Sequence, residues 1–206
     1  FKMIADKNIG GRPFYYGEIH IDPENENRLY NLHSLVDVSN DGGRTFETMM
    51  PYAKAHPDHH AWYMHPTDGS FIIDGNDGGL NMSRDRGETW RFIRNLPLAQ
   101  FYHINYDMET PYNVYGGMQD NGSWRGPSQV YNVQGIQNTY WEELSFGDGF
   151  DVVPIPGDSR YGYTMSQQGN VTRYDWNTGR TKGIKPNSTD TAVQLRFNWN
   201  AAIAQD

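Results

Sequence analysis

Cysteine is absent from all 206 residues, which excludes disulfide staples, thiolate-held metals and thiol nucleophiles. An exported bacterial chain suits this absence, although cytosolic chains can lack cysteine too. No apolar run approaches the ~18 residues that mark a membrane-spanning helix. No signal peptide is visible, but residue 1 is Phe rather than Met, so the chain reads as cut from something longer. Basic residues are the minority, 17 Lys and Arg against 25 Asp and Glu, for a net charge of −8. That balance argues against a general nucleic-acid-binding surface. Hydrophobic residues make up only 36%, yet 14% are aromatic and 22 are glycine. Polar-surfaced strands packed through large rings and joined by tight turns have this composition. No segment reads as a helix. Four N-x-[ST] sequons, at Asn81, Asn121, Asn170 and Asn187, are the chance yield of a chain rich in Asn, Ser and Thr, and matter only in a eukaryotic source.

One motif occurs twice. Ser39-Asn40-Asp41-Gly42-Gly43-Arg44-Thr45-Phe46 reads S-x-D-x-G-x-T-F, and Ser83-Arg84-Asp85-Arg86-Gly87-Glu88-Thr89-Trp90 reads S-x-D-x-G-x-T-W. The copies begin 44 positions apart, the spacing of one propeller blade. The chemistry is local. The aspartate bonds backbone N–H groups, the glycine supplies a positive φ, and the threonine and aromatic residue open a strand whose ring enters the apolar layer. Ser39, Asp41, Gly43, Thr45, Phe46, Ser83, Asp85, Gly87, Thr89 and Trp90 are therefore expected to be structural.

This pattern resembles the Asp-box, or BNR repeat, of sialidases, xyloglucanase-type glycoside hydrolases and sortilin-like receptors. The resemblance implies a β-propeller and leaves function open, because enzymes and receptors share the device. The segments H-P-D-H-H-A-W, G-N-D-G-G-L, L-P-L-A-Q-F-Y-H, Y-G-G-M-Q-D-N-G-S-W, G-D-G-F and L-R-F-N-W-N-A are together similar to bacterial proteins labelled glycosyl hydrolase or sortilin-like propeller.

Short segments bounded by Gly, Asp, Asn or Pro suggest about four four-stranded blades, near 17–50, 59–96, 101–144 and 149–186. In the second blade the strands are expected at Ala61–Pro66, Ser70–Asp74, Leu80–Ser83 and Thr89–Ile93. The third blade carries a decayed motif at Ser123-Trp124-Arg125-Gly126, and the fourth turns at Asp175–Gly179. Residues 195–206 look like the opening of a further blade, so the expectation is an all-β propeller segment belonging to a larger ring.

Propeller geometry puts the S-x-D-x-G-x-T turns at the periphery of one face and directs the other loops to the opposite face. Those loops are polar, and a central mouth is a default ligand site. Asp77, Asp120 and Asp148 are candidate catalytic carboxylates for glycoside hydrolysis. His59, His60, Asn76, Tyr102, His103, Gln119, Trp124, Asn198 and Trp199 are candidate ligand-binding residues, with Tyr102, Trp124 and Trp199 as sugar-stacking rings. Asp58 and His59 are candidate ligands for Ca²⁺ or another divalent ion, although adjacent His59 and His60 would face opposite ways on a strand. For each residue the competing reading is a turn in which Asp or Asn bonds the backbone. No arginine triad with a Tyr/Glu pair supports a sialidase. The leading expectation is a secreted, periplasmic or cell-surface propeller that binds a glycan or protein segment on the face opposite the motif turns. A xyloglucanase-like hydrolase with paired carboxylates is the first alternative, and a non-catalytic assembly scaffold the second. The remainder of the same propeller is a further expected partner.

Overall fold

The structure, a computed structural model, describes residues 2–96 and 98–205. Two compact units divide it, Phe1–Pro97 and Leu98–Asp206. The first unit holds two antiparallel sheets. One is β1 (Ile19–Asp22), β2 (Asn25–Leu32), β3 (Val36–Ser39) and β4 (Glu47–Met50); the other is β5 (His59–His65), β6 (Asp68–Asn76), β7 (Gly79–Ser83) and β8 (Arg91–Phe92). The second unit repeats the scheme. Its sheets are β9 (Phe101–Tyr106), β10 (Asn113–Met118), β11 (Ser123–Pro127) and β12 (Glu142–Ser145), then β13 (Val152–Pro154), β14 (Tyr161–Ser166), β15 (Asn170–Asp175) and β16 (Arg180–Gly183). In every sheet the strands neighbour one another in chain order. Four-stranded meanders packed one on the next are β-propeller blades. Each unit is a pair of them, and the fold is all-β. The only helical turns among the described residues are 3₁₀, at Asn138–Tyr140 and Gln167–Gly169.

Alternation along the strands supplies the packing faces. In the first unit Tyr30, Leu32, Val36, Val38 and Met50 of the first blade meet Trp62 and Ile72 of the second. Tyr30, Val36, Met50 and Ile72 are completely buried, and burying an aliphatic or aromatic side chain of this size is worth about 1.5–3 kcal/mol. In the second unit Tyr115 and Leu144 meet Val152 and Tyr174. Here the blades approach backbone to backbone. A Cβ on Gly117 would lie 2.2 Å from the carbonyl carbon of Gly149 and 2.3 Å from the oxygen of Phe150, so no larger residue fits. Tyr115 also carries a buried polar link, donating to Asp107 at 2.8 Å and accepting from Arg125 at 3.2 Å.

The two S-x-D-x-G-x-T turns have the same hydrogen bonds. Gly43 N–H donates to Ser39 Oγ at 2.9 Å and Gly87 N–H to Ser83 Oγ at 2.8 Å. Thr45 and Thr89 N–H each donate to the aspartate Oδ1 at 2.9 Å, and both threonine hydroxyls donate to Oδ2. Gly43 and Gly87 take φ values of 84° and 88°. Trp90 packs against the first-unit core, 5.7 Å from Trp62 between ring centroids, whereas Phe46 stays half-buried.

Three expectations about elements need correction. The outer strand of the second blade begins at Arg91 rather than Thr89, because Thr89 is bonded to Asp85 and the Trp90 indole to Gly87 O at 3.0 Å. Ser123–Gly126 is no decayed turn but lies in strand β11, paired Ser123↔Gly117 and Trp124↔Gly116. The counterpart of the motif turn is the longer 128–141 connection between β11 and β12, whereas Asp120 and Gly122, with φ of 59° and 79°, turn the chain between β10 and β11. The segment 195–205 holds no strand, since no strand edge among the described residues pairs with it. It lies instead along the last blade. Phe197 packs against Gly169 and Ile203 N–H donates to Asp151 at 3.2 Å.

Candidate functional site

The predicted site residues fall into two clusters, one per unit. In the first unit they surround the start of β5. Asp58 sits just before the strand in a left-handed conformation, φ 64°. Its carboxylate accepts the Tyr16 phenol, and the Arg12 guanidinium lies 3.9 Å away. Arg12 also donates to the Tyr16 oxygen at 3.0 Å. Burial pushes Asp58 up, but hydrogen bonds from Tyr16 and Ser34 and the charges of Arg12 and His60 outweigh it and hold the carboxyl below its ordinary value. Tyr16 moves the other way, up to about 12, through burial first and its bond to Asp58 second. His60 stacks on Tyr16 at 5.3 Å, meets Tyr15 edge-on at 5.0 Å, and lies 3.5 Å from Asp77.

His59 is not a ligand-facing residue, contrary to expectation. It is 2% exposed and its Nδ1 lies 2.8 Å from Asp74 Oδ1. Asn76 Nδ2 donates to Asp74 Oδ2 at 2.9 Å, so Asn76 serves the same buried network. The reason is that β5 starts at His59 rather than after His60, and the register His59↔Asn76 with Trp62↔Asp74 turns His59 inward. His60, one residue on, faces the other way. Asp58 and His59 are therefore turned toward separate partners. Among the described residues no group of three or more His, Asp or Glu side chains is placed to hold a metal ion.

In the second unit the key residue is Asp148. It is 6% exposed, and both its oxygens accept hydrogen bonds. Oδ1 takes the Asp120 backbone N–H at 2.8 Å and Oδ2 the Trp199 indole N–H at 2.9 Å. The Trp199 carbonyl accepts Gln168 N–H at 2.9 Å, yet 55% of Trp199 remains exposed. Tyr102 rests on Phe150 at 4.7 Å. Burial raises its phenol pKa, and the charges of Asp148 and then Asp120 raise it further. Gln119 accepts from Gln100 at 2.8 Å. Asn198 is exposed beside Trp199, and Trp124, half-buried, donates to the Asn121 carbonyl at 2.5 Å.

His103 points to the opposite side of β9 from Tyr102, its Nδ1 2.6 Å from Asp151 Oδ1. Asp74 and Asp151, the partners of two predicted histidines, were missed by sequence reasoning. Each sits within or beside a strand, where an aspartate carries no local signal. The structure therefore brings Tyr102, Asp120, Asp148 and Trp199 together, while Asp77 belongs with His60 in the other unit. Chemically the second-unit cluster is a fixed indole and phenol beside neutral amides. Asp148, with both oxygens engaged as acceptors, ties Trp199 to the Asp120 loop.

No protein-family profile matches the chain, and no curated protein matches it. Among solved structures, a GH74 enzyme from Niastella koreensis is similar at 16% identity and a TM-score of 0.35, over 85% of this chain and 31% of that one. A GH74 xyloglucanase from Xanthomonas campestris gives 16% identity and a TM-score of 0.34, over 86% and 31%. YCF48 bound to D1 peptide gives 11% and 0.31, over 84% and 53%. The chain thus spans 31% of the length of each of these two enzymes. Likeness at this level transfers no residue roles.

Proposed function

We propose that the chain is a segment of an Asp-box-type propeller, exported from the cell, that binds a neutral glycan on the loops of its second blade pair. The observation that carries this reading is the clamp on Trp199. A buried carboxylate holds the indole N–H and an adjacent loop at once, leaving a rigid, solvent-exposed ring near Tyr102 and the Gln100–Gln119 amide pair. Stacking on a pre-ordered ring costs little conformational entropy, and amides match vicinal hydroxyls without demanding charge on the ligand.

Asp148 is disfavoured as the acid of a glycoside hydrolysis, because cleavage needs a carboxyl free to give a proton and both Asp148 oxygens already accept bonds; the hydrolase alternative therefore rests on Asp120. The test is calorimetric titration of the chain with xyloglucan- and cello-oligosaccharides. Trp199→Ala is expected to weaken binding about tenfold or more, which corresponds to about 1.4 kcal/mol. No heat from any neutral oligosaccharide would sink the proposal. Release of reducing ends by the wild type, lost in Asp120→Asn, would replace it with the hydrolase.

A further inference from the structure

The Asp58 cluster of the first unit takes no part in the neutral-glycan site, and it carries an arginine with donors to spare. Pro13 follows Arg12 and presets a turn, in which the Tyr15 and Tyr16 N–H groups donate to the Arg12 carbonyl at 2.9 and 2.8 Å. That one turn places Arg12 and Tyr16, four residues apart, on the same side. The guanidinium lies 5.4 Å from the Tyr15 ring centroid and 5.0 Å from that of Tyr16. It donates to the Tyr16 oxygen at 3.0 Å. Asp58 lies 3.9 Å away, but its hydrogen bond comes from the Tyr16 phenol. A guanidinium has five N–H donors, and among the described residues this one finds a hydrogen-bond acceptor for a single donor.

Other arginines on aromatic rings are arranged differently. Arg28, Arg125 and Arg160 each spend two or three N–H groups on protein acceptors. Arg84 and Arg173 each lie on one ring, with no hydrogen bond among the described residues to fix them. Of these six, Arg12 alone is both fixed and largely unspent. Its side chain is 54% exposed, so it presents a preset fork to a planar oxyanion. Charge narrows the choice. Asp58 beside Arg12 and Asp77 beside His60 repel a phosphate dianion about twice as strongly as a carboxylate. Tyr15 narrows it further. Its ring is half exposed and is held edge-on by Tyr16 at 4.8 Å and by His60 at 5.0 Å, a fixed apolar surface next to the fork. A sugar acid supplies both matching parts, a C–H face for the ring and a carboxylate for the guanidinium. We infer that Arg12 and Tyr15 form a second binding site, which takes a uronate residue of an acidic glycan.

Calorimetric titration of the whole chain tests this, with trigalacturonate against galactotriose in calcium-free buffer. The acid is expected to bind in preference to its neutral counterpart, and more weakly as sodium chloride is added. Arg12→Gln is expected to weaken the acid at least about tenfold, the loss of a charge-assisted pair. Tyr15→Ala, which removes no side-chain hydrogen bond, should weaken it as well with unchanged circular dichroism. Trp199→Ala should leave it intact. No heat from the acid overturns the inference, as does equal affinity for galactotriose or indifference to both first-unit substitutions. Succinate binding as tightly as trigalacturonate would remove the sugar from the site and overturn it too. So would acid binding lost in Trp199→Ala, which would move the acid to the second unit. The readout at Arg12 is independent of Trp199, so failure here leaves the neutral-glycan proposal standing.

Discussion

Replacing Asp74 with alanine asks whether the His59 network is structural. Asp74 is fully buried, accepting from His59 at 2.8 Å and from Asn76 at 2.9 Å. Truncation removes both bonds and leaves the His59 donor facing a dry interior and the Asn76 amide without its acceptor. Each buried donor left unsatisfied costs about 1–3 kcal/mol. His59 is itself sealed from water and Asn76 only half-buried. The first donor therefore carries most of the penalty, and the sum is about 3 kcal/mol. At about 2–4 °C per kcal/mol for a chain of this size, that lowers Tm by about 6–12 °C. Urea and thermal unfolding followed by tryptophan fluorescence read the change, because Trp62 pairs with Asp74 across β5 and β6. Asp74→Asn retains an acceptor for His59 and should lose less. A Tm within a degree or two of wild type for Asp74→Ala would refute the reasoning.

Further outcomes follow from the turns and the blade contact. Bonds from Thr89 hold Asp85 down at about 2 and bonds from Arg160 do the same for Asp175, against an ordinary value of 3.8. Both depressed groups stabilise the fold above 3.8, and that contribution is lost as pH falls toward 2. Asp85→Asn should therefore flatten the acid limb of a Tm-versus-pH curve between those values, and an unchanged limb would count against the capping role. Gly117→Ala forces a Cβ into the Gly149–Phe150 backbone, so it should cost more than about 4 kcal/mol. Soluble expression with wild-type near-ultraviolet circular dichroism would show that the blades do not pack this closely. At high pH, burial raises the Tyr115 phenol to about 12 from 10.0. Its contribution to stability is lost as pH rises from 10 toward 12, so Tyr115→Phe should make the alkaline fall in Tm shallower, the part that remains coming from other raised phenols such as Tyr16.

Much of the fold was legible in one dimension because its causes are local. An aspartate reaches N–H groups three and four residues on, a glycine supplies a positive φ, and the turn marks where one strand stops and the next begins. Both copies show the same bonds 44 positions apart. The limits of local reasoning appear at the third blade. There Ser123-Trp124-Arg125-Gly126 looks like a worn turn, yet pairing with Gly116 and Gly117 makes it a strand. The outer strand of the second blade likewise lost Thr89 and Trp90 to the turn itself.

Composition and spacing thus determined the all-β class, the blade repeat and the structural role of the two motif turns, since each depends on residues within one or two turns of chain. Only the tertiary structure decided what the site residues do. His59 became a buried partner of Asp74 through the β5–β6 register. Asp148 became the anchor of Trp199 through a bond between residues 51 positions apart, and His103 found Asp151 at a separation of 48. Local propensity is blind to such pairings, because burial and hydrogen-bond partners across a fold are set by which faces the packed blades bring together.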